Sequence, residues 1–262
     1  MESNVEYQYL RPQDMIARRE AAPIAYMGLG VLEWHGLHNP LGLDTIKANA
    51  IACYLAREYG GVVMPPQYWG EYRGQIAELD FVESFEADFI QPENKFDHTH
   101  SISELMGLTK EAFINDAEKS FEYGEWELWE KLMVRTMCQI ETLGFKAMIL
   151  LPGHFPLIAP CKKAVQRYRD EGGLCDVLVL TEFDFTDDEF VGDHAAAFET
   201  SLMMAICPDL VDLNKLDPDL SKPNIGVIGQ DPRTHTSKDL GQKALAKFAA
   251  SAADFIHKNI PG

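Results

Sequence analysis

Between residues 28 and 44 the chain reads GLGVLEWHGLHNPLGLD, which places Glu33, His35, His38 and Asp44 in one short span rich in Gly and Pro. Glu33 and His35 are two apart, so on an extended segment their side chains share a face. Further on, LLPGHFP carries His154, and FVGDHAAAFETS carries Asp193, His194 and Glu199. Glu33, His35, Asp44 and His154 together make a mixed nitrogen–oxygen donor set of the kind that zinc, manganese and iron(II) accept. With one carboxylate bridging, such a set could hold two ions roughly 3.5–4 Å apart, which would activate a shared water and polarise a carbonyl. That is hydrolytic chemistry. Each residue also has a plain structural reading. Glu33 could be a solvated loop carboxylate and His154 a hydrogen-bonded strand end. Asp44 and Asp193 could cap the helices that follow them, and Glu199 could sit in a first helical turn, where the dipole favours it.

The elements that must position these residues alternate along the chain. Short apolar runs at 23–30, 61–65, 145–153, 175–183 and 225–229 are bounded by Gly or Pro and predict buried strands. Helical spacing over 44–59, 125–143, 157–170, 198–206 and 237–258 predicts helices between and after them. Alternation of this kind predicts an α/β fold, a three-layer α/β/α sandwich with a mostly parallel sheet. In such sheets ligands sit beyond the carboxyl ends of the strands, and all three polar clusters follow predicted strands. No repeat or linker marks a boundary, so one domain spanning 1–262 is expected. Residues 66–108 show no clear periodicity, which in a compact chain points to irregular or functional structure.

Composition narrows the function. With 23 basic and 41 acidic residues the formal net charge is −18, which disfavours nucleic acid and anionic membrane as partners. No apolar run is long enough to span a bilayer, and the N-terminal segment lacks the pattern of a secretory signal. The five cysteines are scattered without a CxxC pair, and none lies beside a histidine. They are expected to be reduced core residues of a cytoplasmic protein, and neither a thiolate metal site nor a cysteine nucleophile is expected.

GVLEWHGLHNPLGLD resembles the amino-terminal signature of the creatininase family, a Glu-x-His-Gly followed by Leu-Gly and an Asp. GHFP resembles that family's Asn-Gly-His segment, and DHAAAFETS its His-(Ala/Gly)-Gly-x-x-Glu-Thr-Ser segment. VIGQDPRTHTSKDLGQKAL is similar to the segment opening its last helix. The resemblance implies that Glu33, Asp44 and His154 hold a first metal ion. It implies that His35 and Asp44 hold a second, with Asp44 bridging, and that Asp193 and His194 serve proton transfer beside the substrate. It further implies cleavage of carbon–nitrogen bonds in small amides, a divalent cofactor (zinc first, manganese or iron as alternatives, one or two ions) and a homo-oligomer, commonly a hexamer.

The chain departs from the family at chosen points. Pro156 stands where creatininases proper place a Glu that closes the second metal site, and Ala197 stands where other members place one. Trp34 replaces a usual Gln, and Phe183 occupies the place of a pocket Trp. The aromatic wall of the creatininase pocket is thus not reproduced, and a different amide, lactam or formamide is at least as good an expectation as creatinine. Three ligands are the usual minimum for a catalytic ion, so one well-held ion is expected, with Glu199 orienting a ligand from behind. His98 and His100 are a remote alternative source of ligands. Two other readings stay open: a relative that binds metal or a small ligand without turnover, and an iron(II) oxygenase built on two histidines and a carboxylate.

Overall fold

A computed structural model describes residues 4–70, 102–109, 126–185, 192–222 and 224–260, with scattered positions between 111 and 124. Its sheet has four parallel strands in the order β2-β1-β3-β4: β1 Ile24–Leu29, β2 Val62–Val63, β3 Ala147–Pro152 and β4 Asp176–Val179. The longer helices are α1 Pro12–Ala21, α2 Leu43–Tyr59, α3 Trp126–Thr142, α4 Ile158–Asp170, α5 Ala197–Ile206 and α6 Lys238–Asn259. Alternate residues of each central strand serve opposite faces. Ile24, Tyr26, Ile149 and Leu151 pack against Ile51 and Leu55 of α2, Leu202 of α5 and Phe248 of α6. Met27, Leu29, Met148 and Leu150 pack on the other side against Trp129 and Met133 of α3 and Cys161 and Tyr168 of α4. Helices on both faces explain why β1 and β3 are apolar and buried throughout rather than alternating.

Strand order locates the site. The chain leaves β1 through α2 toward β2 on one side, and leaves β3 through α4 toward β4 on the other, with α2 and α4 on opposite faces. The connections diverge between neighbouring strands, which opens a crevice beyond the carboxyl ends of β1 and β3. Two glycines let α2 seat on that edge. A Cβ on Gly30 would lie 2.5 Å from the Thr45 nitrogen, and one on Gly153 would lie 2.2 Å from the Asp44 carbonyl oxygen. Bare backbone at both strand ends therefore allows the first turn of α2, with Asp44, to press between them.

One expectation changes. The run 225–229 is no strand: Gly226 (φ 63°) and Gly229 (φ 138°) take left-handed conformations, and only one antiparallel bridge forms, between Ile228 and His194. Its apolar residues instead cover Trp34 and Ala195–Ala196. Helix α1 was not expected from the sequence: none of its residues is fully buried, and Met15 reaches the core from a half-buried position. Arginines tie it down, Arg18 donating to the carbonyls of Gly61 (2.9 Å) and Ala56 (3.1 Å), and Arg19 to that of Leu143 (2.7 Å). The apolar side chains of α6 and Trp129 are covered within the chain, and Trp126 packs edge-on against Trp129. No helix among the described residues is long and apolar enough to cross a membrane.

Candidate metal centre

The loop leaving β1 folds back on itself, Glu33 N donating to the Leu41 carbonyl at 2.9 Å, and delivers Glu33 and His35 to the crevice. β3 delivers His154 directly, its preceding Gly153 N donating to the Leu29 carbonyl at 2.7 Å. His154 Nδ1 lies 3.0 Å from Glu33 Oε2 and 3.2 Å from Asp44 Oδ2. All three side chains are buried, yet, the His154 contacts aside, Glu33 Oε2 and Asp44 Oδ2 have no hydrogen-bond donor among the described residues. Buried carboxylate oxygens are normally satisfied. Two orphaned oxygens and one ring nitrogen within 4.8 Å of one another fit a divalent cation of the zinc or manganese type, for which such mixed sets are typical.

A second trio adjoins the first. His35 Nε2 lies 3.0 Å from Asp44 Oδ1 and 3.8 Å from Glu199 Oε2, and these atoms too fall within 4.8 Å of one another. Asp44 thus turns one oxygen to each histidine, the arrangement that a bridging carboxylate requires. His35 Nδ1 lies 3.2 Å from the Glu33 carbonyl; donation there leaves Nε2 as the ligating atom. Glu199, expected behind the ligands, stands with them.

The electrostatics follow from burial opposed by charge. Burial works to raise the Asp44 and Glu33 carboxyls, but His35 and His154 hold the first below its ordinary range, and His154 and His194 the second. Burial likewise disfavours imidazolium, yet Asp44 and Glu199 raise His35 to about 9, and Glu33 and Asp44 raise His154 to about 10. Without an ion the two histidines would balance the carboxylates as cations, so a metal must displace protons to bind.

His194 differs. Its Nε2 lies 2.8 Å from the Trp34 carbonyl, which can only accept, so Nε2 carries the hydrogen. Burial pushes His194 below its ordinary pKa, which favours a neutral ring with a bare Nδ1. That nitrogen lies 4.0 Å from Glu33 Oε2, and the ring centroid 4.5 Å from that of His35. Asp193 points away from this chemistry: its oxygens accept from Phe198 N (2.8 Å) and Glu199 N (3.0 Å), capping α5. His38 is structural too. Its Nε2 pairs with Thr200 Oγ1 at 3.0 Å, and burial lowers it to about 4, keeping it neutral.

Sequence reading missed Lys47 and Glu182. Lys47 Nζ, fully buried, bonds Glu199 Oε1 at 2.6 Å and Glu182 Oε1 at 3.1 Å. A signal existed: Leu43, Lys47, Ile51 and Leu55 form one stripe at four-residue spacing, so the lysine interrupts a core-facing row. Phe155 packs edge-on against Phe183 with ring centroids 5.0 Å apart, beside His154. His98 and His100 lie outside the described residues.

Comparison with known proteins agrees with this geometry. The creatininase family, described as creatinine amidohydrolase, matches residues 8–79 and 125–256. A creatinine amidohydrolase of Pseudomonas putida is 25% identical over 270 residues, covering 91% of this chain and 90% of its own. A structure described as a manganese creatininase superposes with a TM-score of 0.67 at 21% identity, covering 99% of this chain and 100% of its own. A mutant creatininase of Zn-Zn type gives 0.65 at 20% identity, with the same coverages. At such identities the structural likeness is one of fold.

Proposed function

This chain belongs to the creatininase family of metal-dependent amidohydrolases, and on that premise we propose that it hydrolyses a carbon–nitrogen bond in a small lactam or formamide. The observation that carries the reading is the pair of orphaned oxygens, Glu33 Oε2 and Asp44 Oδ2, meeting His154 Nδ1 in a buried crevice. Glu33, Asp44 and His154 would hold the ion, zinc first and manganese or iron as alternatives. A divalent ion bound there supplies Lewis acidity, lowering the pKa of a water and polarising a carbonyl.

The chain's own groups supply the rest. His194 Nδ1, bare and neutral, accepts the proton released as water adds to the carbonyl carbon. It returns that proton to the leaving nitrogen when the carbon–nitrogen bond breaks, giving a carboxylic acid and an amine. Donation of Nε2–H to the Trp34 carbonyl holds the ring in the tautomer this requires. The Phe155–Phe183 pair would offer the substrate an apolar wall near His154.

Treating the protein with a strong chelator should abolish turnover on a panel of lactams and formamides, and zinc or manganese should restore it. Full turnover after complete metal removal would refute the reading. A second reading is a relative that binds without turnover, favoured by Pro156 and Ala197 standing where relatives place a carboxylate. Saturable binding with no hydrolysis across the panel would establish it.

We also propose a cytoplasmic homo-oligomer, a hexamer by family resemblance, acting on a small molecule rather than nucleic acid or membrane. Leu128 and Leu132, 57% and 50% exposed on α3, are among the exposed apolar residues that an interface would cover. Light scattering should give several times 29.5 kDa, whereas a stable monomer at that mass would refute assembly.

A further inference from the structure

Lys47 is the most unusual residue of the core. It lies in the apolar stripe of α2, fully buried, three residues after Asp44. A buried ammonium costs several kcal/mol unless it is fully paired. Its pairing has a direction, because it takes one oxygen of Glu199 (Oε1, 2.6 Å) and leaves the other facing the crevice. That second oxygen, Oε2, accepts from Ala195 N at 2.7 Å and lies 3.8 Å from His35 Nε2. Glu199 is thereby fixed at both ends, and one lone pair of Oε2 stays available beside His35 and Asp44.

Glu182 shares the same ammonium at 3.1 Å. One lysine facing two carboxylates does not neutralise them, and Asp44 adds a third carboxylate close by. Carboxylate oxygens converging on a histidine ring nitrogen make a donor set that suits a divalent cation. It also answers the departures at Pro156 and Ala197, neither of which can ligate.

We propose that Glu199, supplied from α5, replaces the carboxylate missing at Pro156 and Ala197 and so completes the second cation site that the family resemblance implies at His35 and Asp44, and that Lys47 is the positioning residue that turns Glu199 Oε2 toward it. The proposal rests on the hydrolase reading of the first site but can fail separately from it. Lys47 touches neither ion. It holds the carboxylate that does, as partners behind metal ligands commonly do.

The test counts ions. Protein saturated with zinc and gel-filtered should carry about two ions per chain by elemental mass spectrometry, with two anomalous peaks in crystals, as expected for a bridged pair. Glu199→Gln, nearly isosteric, should lower the count to about one, the remaining peak lying between Glu33, Asp44 and His154. The pair Lys47→Met with Glu182→Gln leaves no buried ammonium unpaired. Chelator competition should show the second ion of that variant held roughly 10–100-fold more weakly, the first unchanged. Thermal melting confirms that both variants are folded. A single ion in the unmodified protein overturns the second site and leaves the hydrolase reading standing, whereas no ion at all overturns both. Two ions in Glu199→Gln overturn the assignment of Glu199, and an unchanged second ion in the paired variant overturns that of Lys47. Because the unmodified protein decides the first question alone, failure of a variant to fold cannot rescue the proposal.

Discussion

Asp44→Asn should reduce kcat/KM by ~10³-fold or more and strip the bound metal, the largest single-residue loss the site predicts. The reason is geometric. Asp44 alone faces both histidines, Oδ1 3.0 Å from His35 Nε2 and Oδ2 3.2 Å from His154 Nδ1. An amide keeps the size but loses the charge and turns an N–H toward one of the two. Removing that negative charge also takes from His35 and His154 one of the carboxylates that raise their pKa, with Glu199 and Glu33 left to do so. Steady-state kinetics with metal analysis of the purified variant checks this. Retention of metal and of more than about a tenth of the activity would place the chemistry elsewhere.

His194→Ala should lower turnover by ~10²–10⁴-fold while bound metal stays close to that of the unmodified protein. Its Nδ1 lies 4.0 Å from Glu33 Oε2, within reach of a water in the crevice, and its Nε2–H is spent on the Trp34 carbonyl. It also falls within 4.8 Å of ligand atoms of Glu33 and His35, which makes ligation the competing role. The two roles separate cleanly. A proton-transfer residue costs turnover alone, whereas a ligand costs turnover and metal together. Parallel loss of both in His194→Ala would reassign it.

How much of this was legible in the sequence depended on whether a signal was local. The central strands were readable because each is a short apolar run closed by Gly or Pro, and β1 and β3 fall within one or two residues of expectation. Run 225–229 has the same composition, but two left-handed glycines break it, and composition alone does not reveal their dihedrals. Helix α1 gave little signal because none of its residues is fully buried, Met15 packing on the core from a half-buried position, and because arginine donors to other elements hold it. Among the site residues, Glu33, His35, Asp44, His154, His194 and Glu199 all stood out by type and by position after strands, and the fold brings them together. Asp193 stood out equally and turns its oxygens to the backbone of α5, since an Asp before a helix serves as a cap by default. Lys47 and Glu182 are 135 residues apart and meet only in the fold, where the α2 lysine reaches the 3-10 turn Glu182–Phe185 that follows β4. No local pattern announces such a pair beyond the polar interruption of an apolar stripe.

The central claim is that Glu33, Asp44 and His154 hold the ion on which hydrolysis depends. Anomalous diffraction from crystals grown with zinc or manganese, collected on both sides of the metal's absorption edge, tests it most directly. The account predicts a strong peak about 2.0–2.2 Å from Glu33 Oε2, Asp44 Oδ2 and His154 Nδ1. An empty crevice in protein that turns over substrate at full rate would contradict it.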